Sequence, residues 1–281
     1  MRSFRSYAIL AGALGAAGIL AVGLSADRPA GAGTGRAAGS SVAPAGPVAA
    51  PGVGADASQG RGAHAFYFTR GIYSDWRGSF RSMGAWATDY PKADQQFLTV
   101  LRRLTNLDAY ASEHAVRLAD PELRRYPFLY MVEVGYMDLR PEEAKALRDY
   151  LLAGGFLFVD DFWGTRQWQN FEEQMRHVLP EYPIRNLPLE HPIFRTFYEI
   201  REILQVPAIG NIRRGRTWEQ DGFEPAVLGI FDERGRLLVM INWNTDLGDA
   251  WEWAEQPDYP LKFSTFAYQM GVNAIVYAMS N

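Results

Sequence analysis

Two adjacent aspartates, Asp160 and Asp161, directly follow the apolar run Phe156–Val159. Their carboxylates are candidates for several kinds of chemistry. Such carboxylates could act as general acid and base, as metal ligands or as a nucleophile. Neighbouring strand residues point to opposite faces of a sheet, so the two carboxylates share one site only if the strand has already turned. A structural role is the favoured alternative, because Asp commonly caps helices and could accept backbone N–H groups near Trp163 or Gly164.

A second polar group follows another apolar run and reads N-x-N-x-D-L-G-D, with Asn242, Asn244, Asp246 and Asp249. Its alternating oxygen ligands resemble a calcium loop, so Asn242, Asn244 and Asp246 are weak metal candidates. The spacing is imperfect, because Gly248 comes one position late and the acidic twelfth residue of such a loop is absent. A network of Asx-turn hydrogen bonds is therefore the favoured interpretation.

Two tryptophans, Trp251 and Trp253, flank Glu252 directly after that segment. Large aromatic rings beside carboxylates and amides could stack on sugars and bond their hydroxyls. They could equally cover the end of the core, since Trp is highly buried on average. We expect at least one of the two tryptophans to pack in the core. Glu252 is a third catalytic candidate, as the counterpart of Asp160 or Asp161.

The remaining candidates are a histidine and a group of arginines. His191 lies in a Pro-rich segment without an HExxH or HxH pattern, which favours a hydrogen-bonded structural role over a base or ligand. Arg70, Tyr73, Arg77 and Arg81 belong to a long polar segment and could bind an acidic group, although an arginine run is usually a solvated face. The candidate ligand-binding residues are Arg70, Tyr73, Asp161, Trp163, His191, Asn244, Asp246, Asp249, Trp251 and Trp253.

The elements around Asp160 are indicated by local signals. A helix over Pro141–Ala153 is predicted to end at Gly154, and the strand Phe156–Asp160, apolar on both faces, is typical of a central parallel strand. The other predicted strands are Ala65–Thr69, Ala115–Leu118, Pro127–Val134, Ala226–Phe231 and Leu237–Trp243, and the other predicted helices are one from Pro91, Gln167–Val178 and Phe263–Met279. This alternation indicates a doubly wound parallel sheet that ends in an antiparallel hairpin.

The N-terminal part differs from the rest. Arg2 and Arg5 precede an uncharged run over Ala8–Leu24, which within residues 1–26 predicts either a cleaved signal peptide or a retained membrane anchor. Both alternatives place the bulk of the chain outside the cytoplasm, in the periplasm or a similar compartment. Residues 27–62 are rich in Ala, Gly and Pro and are predicted to be a disordered linker, so the folded α/β domain is assigned to residues 63–281.

Charge and cysteine content exclude several functions. Residues 63–281 carry 23 basic and 30 acidic side chains, so a nucleic-acid partner is not expected. The 281-residue chain has no cysteine, which excludes disulfides and thiolate catalysis. No cofactor motif is present in the sequence, and membrane contact is expected only through the N-terminal segment.

The motifs DYPKAD, YPFLY, LRDYLLAGGFLFVDDFWG, LPLEHPIF, NTDLGDAWEWA and GVNAIVYAM occur in this order and carry a resemblance. They are similar to a bacterial domain-of-unknown-function family that is distantly similar to class I glutamine amidotransferase-like domains. The resemblance implies a three-layer flavodoxin-like sandwich. It also implies that VDDFWG stands where those enzymes carry their cysteine nucleophile, so glutaminase chemistry by that route is not open to this chain. The family relationship gives a weak hint of AAA-type ATPase and von Willebrand factor A-like partners.

Two functions are consistent with these features. The first is a non-catalytic binding or assembly module outside the cytoplasm, with a carbohydrate or protein ligand at an edge formed by residues 70–90, 160–163 and 242–253. The alternative is a carboxylate-dependent hydrolase acting on carbohydrate or cell-wall material. In that enzyme Asp160 or Asp161 would pair with Glu252 or Asp246.

Overall fold

Seven strands form one sheet in a computed structural model that describes residues 65–76 and 83–280. The strands are β1 (Thr69–Ile72), β2 (His114–Arg117), β3 (Phe128–Val132), β4 (Phe156–Asp160), β5 (Ile184–Asn186), β6 (Ala226–Phe231) and β7 (Leu237–Trp243). The helices are α1 (Lys92–Leu104), α2 (Pro141–Leu152), α3 (Gly164–Val178), α4 (Ile209–Ile212), α5 (Leu247–Glu252) and α6 (Leu261–Ser280).

The strand order is β2-β1-β3-β4-β7-β6-β5. The first five of these strands run parallel, whereas β6 is antiparallel to both β7 and β5. The parallel part follows the flavodoxin order. Side chains of α1, α5 and α6, such as Phe97 and Trp251, pack on one face of the sheet, and those of α2 and α3, such as Leu147 and Phe171, pack on the other. The predicted α/β sandwich with its antiparallel C-terminal hairpin is confirmed.

The unit α2–β4 shows how the sequence builds the centre of this sheet. Gly154 ends α2 with a φ of 117°. This positive φ is strained for residues with a Cβ, whereas glycine adopts it readily. A Cβ on Gly155 would lie 2.4 Å from the ring of Tyr150, so the chain can pass that ring only as glycine. All five residues of β4 are buried between β3 and β7. Asp160 therefore leaves the sheet among the carboxyl ends of several parallel strands.

Most element bounds agree with the sequence pattern, and the differences have local causes. The bounds of β4, β6 and β7 are those predicted. The first strand is Thr69–Ile72 rather than Ala65–Thr69, because Thr69–Ile72 pairs with β2 and also contacts β3, whereas Phe66 makes only an isolated bridge. Three short elements that the pattern did not indicate are β5, α4 and α5. Small shifts affect the rest: α3 begins at Gly164 rather than Gln167, and α6 begins at Leu261.

Several sequence predictions concern residues that are not described. The N-terminal segment 1–26 and the linker 27–62 lie outside the described residues, and so do Arg77 and Arg81. Within residues 65–76 and 83–280, no helix combines the length and the apolar composition needed to cross a membrane. The predicted span over Ala8–Leu24 stays a prediction.

Candidate functional site

Asp160 is a buried hydrogen-bond acceptor that joins β4 to its neighbours. Its carboxylate accepts the Tyr130 hydroxyl at 2.9 Å and the backbone N–H groups of Leu247 and Gly248, each at 2.9 Å. Burial raises the pKa of Asp160 to about 6, although these hydrogen bonds partly offset that rise. Asp160 thus caps the first turn of α5, a helix distant in sequence, and its oxygens are already occupied.

Asp161 adopts a left-handed conformation, with φ 50°, where the chain turns out of β4. Its Oδ1 accepts the indole N–H of Trp163 at 2.9 Å. Burial raises the pKa of Asp161 well above its ordinary value, and the charges of Glu133, Asp89 and Asp160 raise it further. Neighbouring strand residues would point to opposite faces of the sheet, but the left-handed turn at Asp161 leaves the two carboxylates close enough for the charge of Asp160 to act on Asp161.

The predicted capping of α3 by one of these aspartates is wrong. The first N–H groups of α3 donate to other side chains: Gly164 N–H to Asn244 Oδ1 at 2.8 Å, and Thr165 N–H to Asp221 Oδ1 at 2.9 Å. Asn244 also donates its amide N–H to the carbonyl of Glu224 at 2.7 Å. Asn244 therefore ties α3 to the loop before β6 instead of offering its side-chain oxygen to a metal ion.

The NTDLGD segment forms the start of α5. Asp246 caps this helix by accepting the N–H of Asp249 at 2.8 Å. Asp249 accepts the N–H of Ile209 on one oxygen and the indole N–H of Trp253, at 2.8 Å, on the other. Burial raises the pKa of Asp249 to about 6. The favoured Asx hydrogen bond is therefore observed at Asp246, whereas Asn244 Oδ1 accepts the N–H of Gly164 and the Asn242 amide donates to the carbonyl of Val159.

A different set of acids converges at this edge. One oxygen from each of Asp89, Asp161 and Asp246 lies within 4.8 Å of the other two, and we call these three residues the carboxylate cluster. Asp89, Asp249 and Glu252 form a second triple with the same spacing. Burial raises the pKa of Asp89 and of Asp246 well above the ordinary value, and neighbouring carboxylates add to the rise. Asp89 lies in the edge segment 70–90 and begins the motif DYPKAD, but sequence reasoning did not single it out because it does not follow a predicted strand.

Arg70 is part of the interior, which corrects its assignment to an exposed loop. The side chain lies in β1, is fully buried and pairs with Asp94, with Nε 3.1 Å from both carboxylate oxygens. Its Nη1 donates to the carbonyls of Trp86 at 3.1 Å and Thr88 at 2.7 Å. Burial lowers the pKa of Arg70, but the charge and hydrogen bonds of Asp94 outweigh this effect and keep it above its ordinary value. Arg70 therefore fixes the segment that carries Asp89.

Three of the predicted ligand-binding aromatic residues are enclosed. Trp251 is fully buried and packs against Phe97, with ring centroids 4.5 Å apart, as expected of at least one of the two tryptophans. Trp163 is buried as well, and so is Tyr73, whose hydroxyl donates to the carbonyl of Val132 at 2.6 Å. These three rings are packed in the interior and offer no open surface to a sugar ring.

Trp253 and Glu252 lie nearer the surface, and both contact Lys92. The ammonium of Lys92 is 3.8 Å from the centroid of the Trp253 ring and 3.7 Å from a carboxylate oxygen of Glu252. The charge of Glu252 is thus partly matched by a cation. Glu252 lies beside Asp249 and Asp89, at the outer side of the carboxylate cluster.

His191 does not belong to this edge. Its Nδ1 accepts the N–H of Ile193, and its ring packs against Phe231 and Tyr277. The hydroxyl of Tyr277 accepts the N–H of Leu237, the first residue of β7, so His191 lies toward the opposite end of the sheet from the carboxylates. Burial lowers the pKa of His191. These contacts fit the structural role that the sequence favoured.

Glu133 and three exposed aromatic residues complete the edge. Glu133 directly follows β3 in a left-handed conformation, with φ 52°, as Asp161 follows β4. Trp76, Trp218 and Phe223 have exposed fractions of 52%, 36% and 63%. Glu133 could have been found by the signal used for Asp160, since an acid also follows the apolar run PFLYMV. The exposed aromatics had no comparable signal.

Residues 77–279 match a family whose description is Domain of unknown function (DUF4159). The matched segment covers nearly all of the α/β sandwich, including the carboxylate cluster. No curated protein shows significant similarity to the sequence.

Proposed function

The chain belongs to the Domain of unknown function (DUF4159) family, and from this premise we propose that its α/β domain is a non-catalytic binding module whose ligand meets the carboxyl edge of the sheet. The contact surface is formed by Trp76, Trp218 and Phe223, which we call the aromatic rim. We place this module outside the cytoplasm on the strength of the N-terminal sequence pattern.

The observation that carries this proposal is the position of the aromatic rim on both sides of the first turn of α3. The guanidinium of Arg166 lies 5.8 Å from the centroid of the Trp76 ring. On the other side, Thr165 bonds Asp221, and the nearby rings of Trp218 and Phe223 are 5.9 Å apart. Exposed aromatic residues grouped around one helix start are typical of a binding surface rather than of a bare solvated face.

The chemistry of this surface suits a carbohydrate. The rim rings can stack on the apolar face of a sugar, and Arg166 and Asp221, both exposed, can bond its hydroxyl groups. The buried tryptophans, Trp163 and Trp251, do not take part in this contact. The proposal therefore keeps the edge predicted from sequence and moves the stacking residues to its outer rim.

A glycan binding screen on the full chain, purified in detergent, tests the proposal. We expect a glycan ligand whose affinity falls roughly tenfold or more in the double variant Trp76→Ala/Phe223→Ala. Phe197→Ala is the matched control. Phe197 is 47% exposed, and its backbone N–H donates to Asn273 of α6, on the other face of the sheet. Equal losses in both variants, or no glycan bound by the wild-type chain, would contradict the proposal.

A second candidate function is a carboxylate-dependent hydrolase, and the carboxylate cluster favours it. Oxygens of Asp161 and Asp246 lie within 4.8 Å of each other, closer to the separation of retaining glycosidases than of inverting ones. The raised pKa of Asp161 suits a general acid. Release of reducing sugar from cell-wall glycan by the wild-type chain, abolished in Asp161→Asn, would support this candidate. Absence of any release would exclude it for the glycans tested.

A further inference from the structure

Some oxygens of the carboxylate cluster accept no hydrogen bond from the described residues. Asp161 and Asp246 are exposed by only 6% and 4%, and each has one oxygen in a hydrogen bond, to Trp163 and to Asp249 respectively. Asp89 is buried at its Oδ2, and this atom has no hydrogen-bond partner. A buried carboxylate oxygen without a donor is costly, so each one calls for an explanation.

The partnerless oxygen of Asp89 lies beside Gly248 and near Asp246, another member of the cluster. It lies 3.0 Å from the position that a Cβ on Gly248 would take, and Asp246 Oδ1 lies 3.7 Å from the same point. The Tyr130 hydroxyl, which donates to Asp160, lies 2.9 Å from the same point, so Gly248 lets the hydroxyl and the two carboxylates approach one another closely. Any other residue at this position would press on Asp89 Oδ2.

Among the described residues, no side-chain cation forms an ion pair with Asp89, Asp161 or Asp246, although the nearby charge of Arg70 partly offsets that of Asp89. The buried guanidinium of Arg70 is 2.5 Å from Asp94 and also bonds two carbonyl groups, so its donors are directed away from the cluster. Lys92 lies at the outer side, where it contacts Glu252. Two buried carboxylates and one half-buried carboxylate without an ion-pair partner either bind protons or bind a cation.

We propose that Asp89, Asp161 and Asp246 form a binding site for a hard divalent cation such as Ca²⁺, Mg²⁺ or Mn²⁺. Such ions prefer carboxylate oxygens, at about 2.0 to 2.6 Å. Two ligands on opposite sides of one ion are then about 4 to 5 Å apart. The mutual limit of 4.8 Å in the cluster is compatible with a single ion bound by all three residues. Water or Glu133 at the same edge would complete the coordination.

The second triple, Asp89, Asp249 and Glu252, is a poorer site. Both oxygens of Asp249 already accept hydrogen bonds, from Ile209 and from Trp253. Glu252 has Lys92 as a neighbour. The two triples share Asp89, so a variant of Asp89 alone cannot separate them. Variants of Asp161 and Glu252 can.

Titration calorimetry on the full chain, freed of divalent ions and purified in detergent, tests the proposal with Ca²⁺, Mg²⁺ and Mn²⁺ separately. We expect at least one of these ions to bind with one-to-one stoichiometry and to raise the melting temperature, because it binds the folded state. Asp89→Asn and Asp161→Asn should each weaken that binding roughly tenfold or more. Asn tolerates the left-handed conformation of both positions, with φ 61° and 50°, so these variants retain the backbone.

Glu252→Gln is the matched control, and its affinity should stay within about twofold of wild type. Loss of binding in Glu252→Gln without loss in Asp161→Asn would place the ion in the second triple and overturn the proposal. Absence of binding by all three ions would overturn it as well. The glycan screen has a different readout and different variants, so this site and the aromatic rim stand or fall separately.

Discussion

Two groups of charges are buried side by side at the carboxyl half of this sheet, and they differ in compensation. Arg70 and Asp94 are both fully buried, and they form an ion pair with several hydrogen bonds. The carboxylate cluster of Asp89, Asp161 and Asp246 is also largely enclosed, yet it contains charges of one sign. Whether a buried charge stabilises the fold therefore depends on whether it has a partner of opposite charge.

The compensated pair supports the uncompensated cluster. Arg70 donates to the carbonyls of Trp86 and Thr88, which lie within the three residues before Asp89. The segment is thereby fixed with Asp89 in a left-handed conformation, facing Gly248 and Asp246. We infer that the ion pair acts as framework and that the cluster is held for a ligand at some cost in stability.

The largest expected effect comes from breaking the pair. Asp94→Ala leaves the buried Arg70 guanidinium without its carboxylate, and such unpaired buried charges cost about 3 to 5 kcal/mol. We expect the free energy of unfolding, measured by urea denaturation at pH 7, to fall by that amount. Asp149→Ala, which removes an exposed ion pair with Arg124 and Lys145, should change it little. Equal losses in the two variants would erase the distinction between framework and surface pairs.

The next effect is a pH dependence to which both groups contribute, because burial also raises the pKa of Asp94, although the charge and hydrogen bond of Arg70 partly offset that rise. The pKa values of Asp160 and Asp249 are raised to about 6, and those of the carboxylate cluster are raised as well. The folded state therefore binds more protons than the unfolded state between about pH 4 and pH 6. Without divalent ions, the free energy of unfolding should rise by on the order of 1 kcal/mol when the pH falls from 7 to 5.

His191 opposes this trend but does not reverse it. Its lowered pKa means that the unfolded state binds a proton first as the pH falls below about 6.5, which reduces stability. A single histidine acts against six carboxyl groups with raised pKa values, those of Asp89, Asp94, Asp160, Asp161, Asp246 and Asp249. Urea denaturation at pH 7, 6 and 5 measures the net result, and a steady loss of stability over this range would contradict the raised carboxyl pKa values.

The framework of the fold was readable from the sequence because its signals are local. The apolar run Phe156–Val159 after Gly154 and Gly155 predicts β4 with its observed bounds, and DERG predicts the turn between β6 and β7. The carboxyl end of a central strand is also where the site was expected, and Asp161 is found there. The hydrophobic periodicity and the positions of the glycines are sufficient to predict these features.

The composition of the site was not readable, because it depends on contacts between distant segments. Arg70 interrupts the apolar pattern of β1, and only its pairing with Asp94, 24 residues later, explains how a charge is accommodated there. Asp89 begins the motif DYPKAD, but it joins the cluster through a loop conformation that the motif does not indicate. Trp251 was a candidate for sugar stacking, but α5, a helix too short for a periodic signal, directs it into the core.

The most direct test of the uncompensated cluster is the stability of Asp161→Asn without divalent ions at pH 7, with Asp138→Asn at an exposed position as control. The amide removes one buried charge, and it can still accept the Trp163 N–H while donating to the remaining carboxylates. We expect the free energy of unfolding to rise by on the order of 1 kcal/mol in Asp161→Asn and to stay unchanged in Asp138→Asn. A fall in Asp161→Asn would mean that the charge itself stabilises the fold, and it would contradict a cluster held for a ligand.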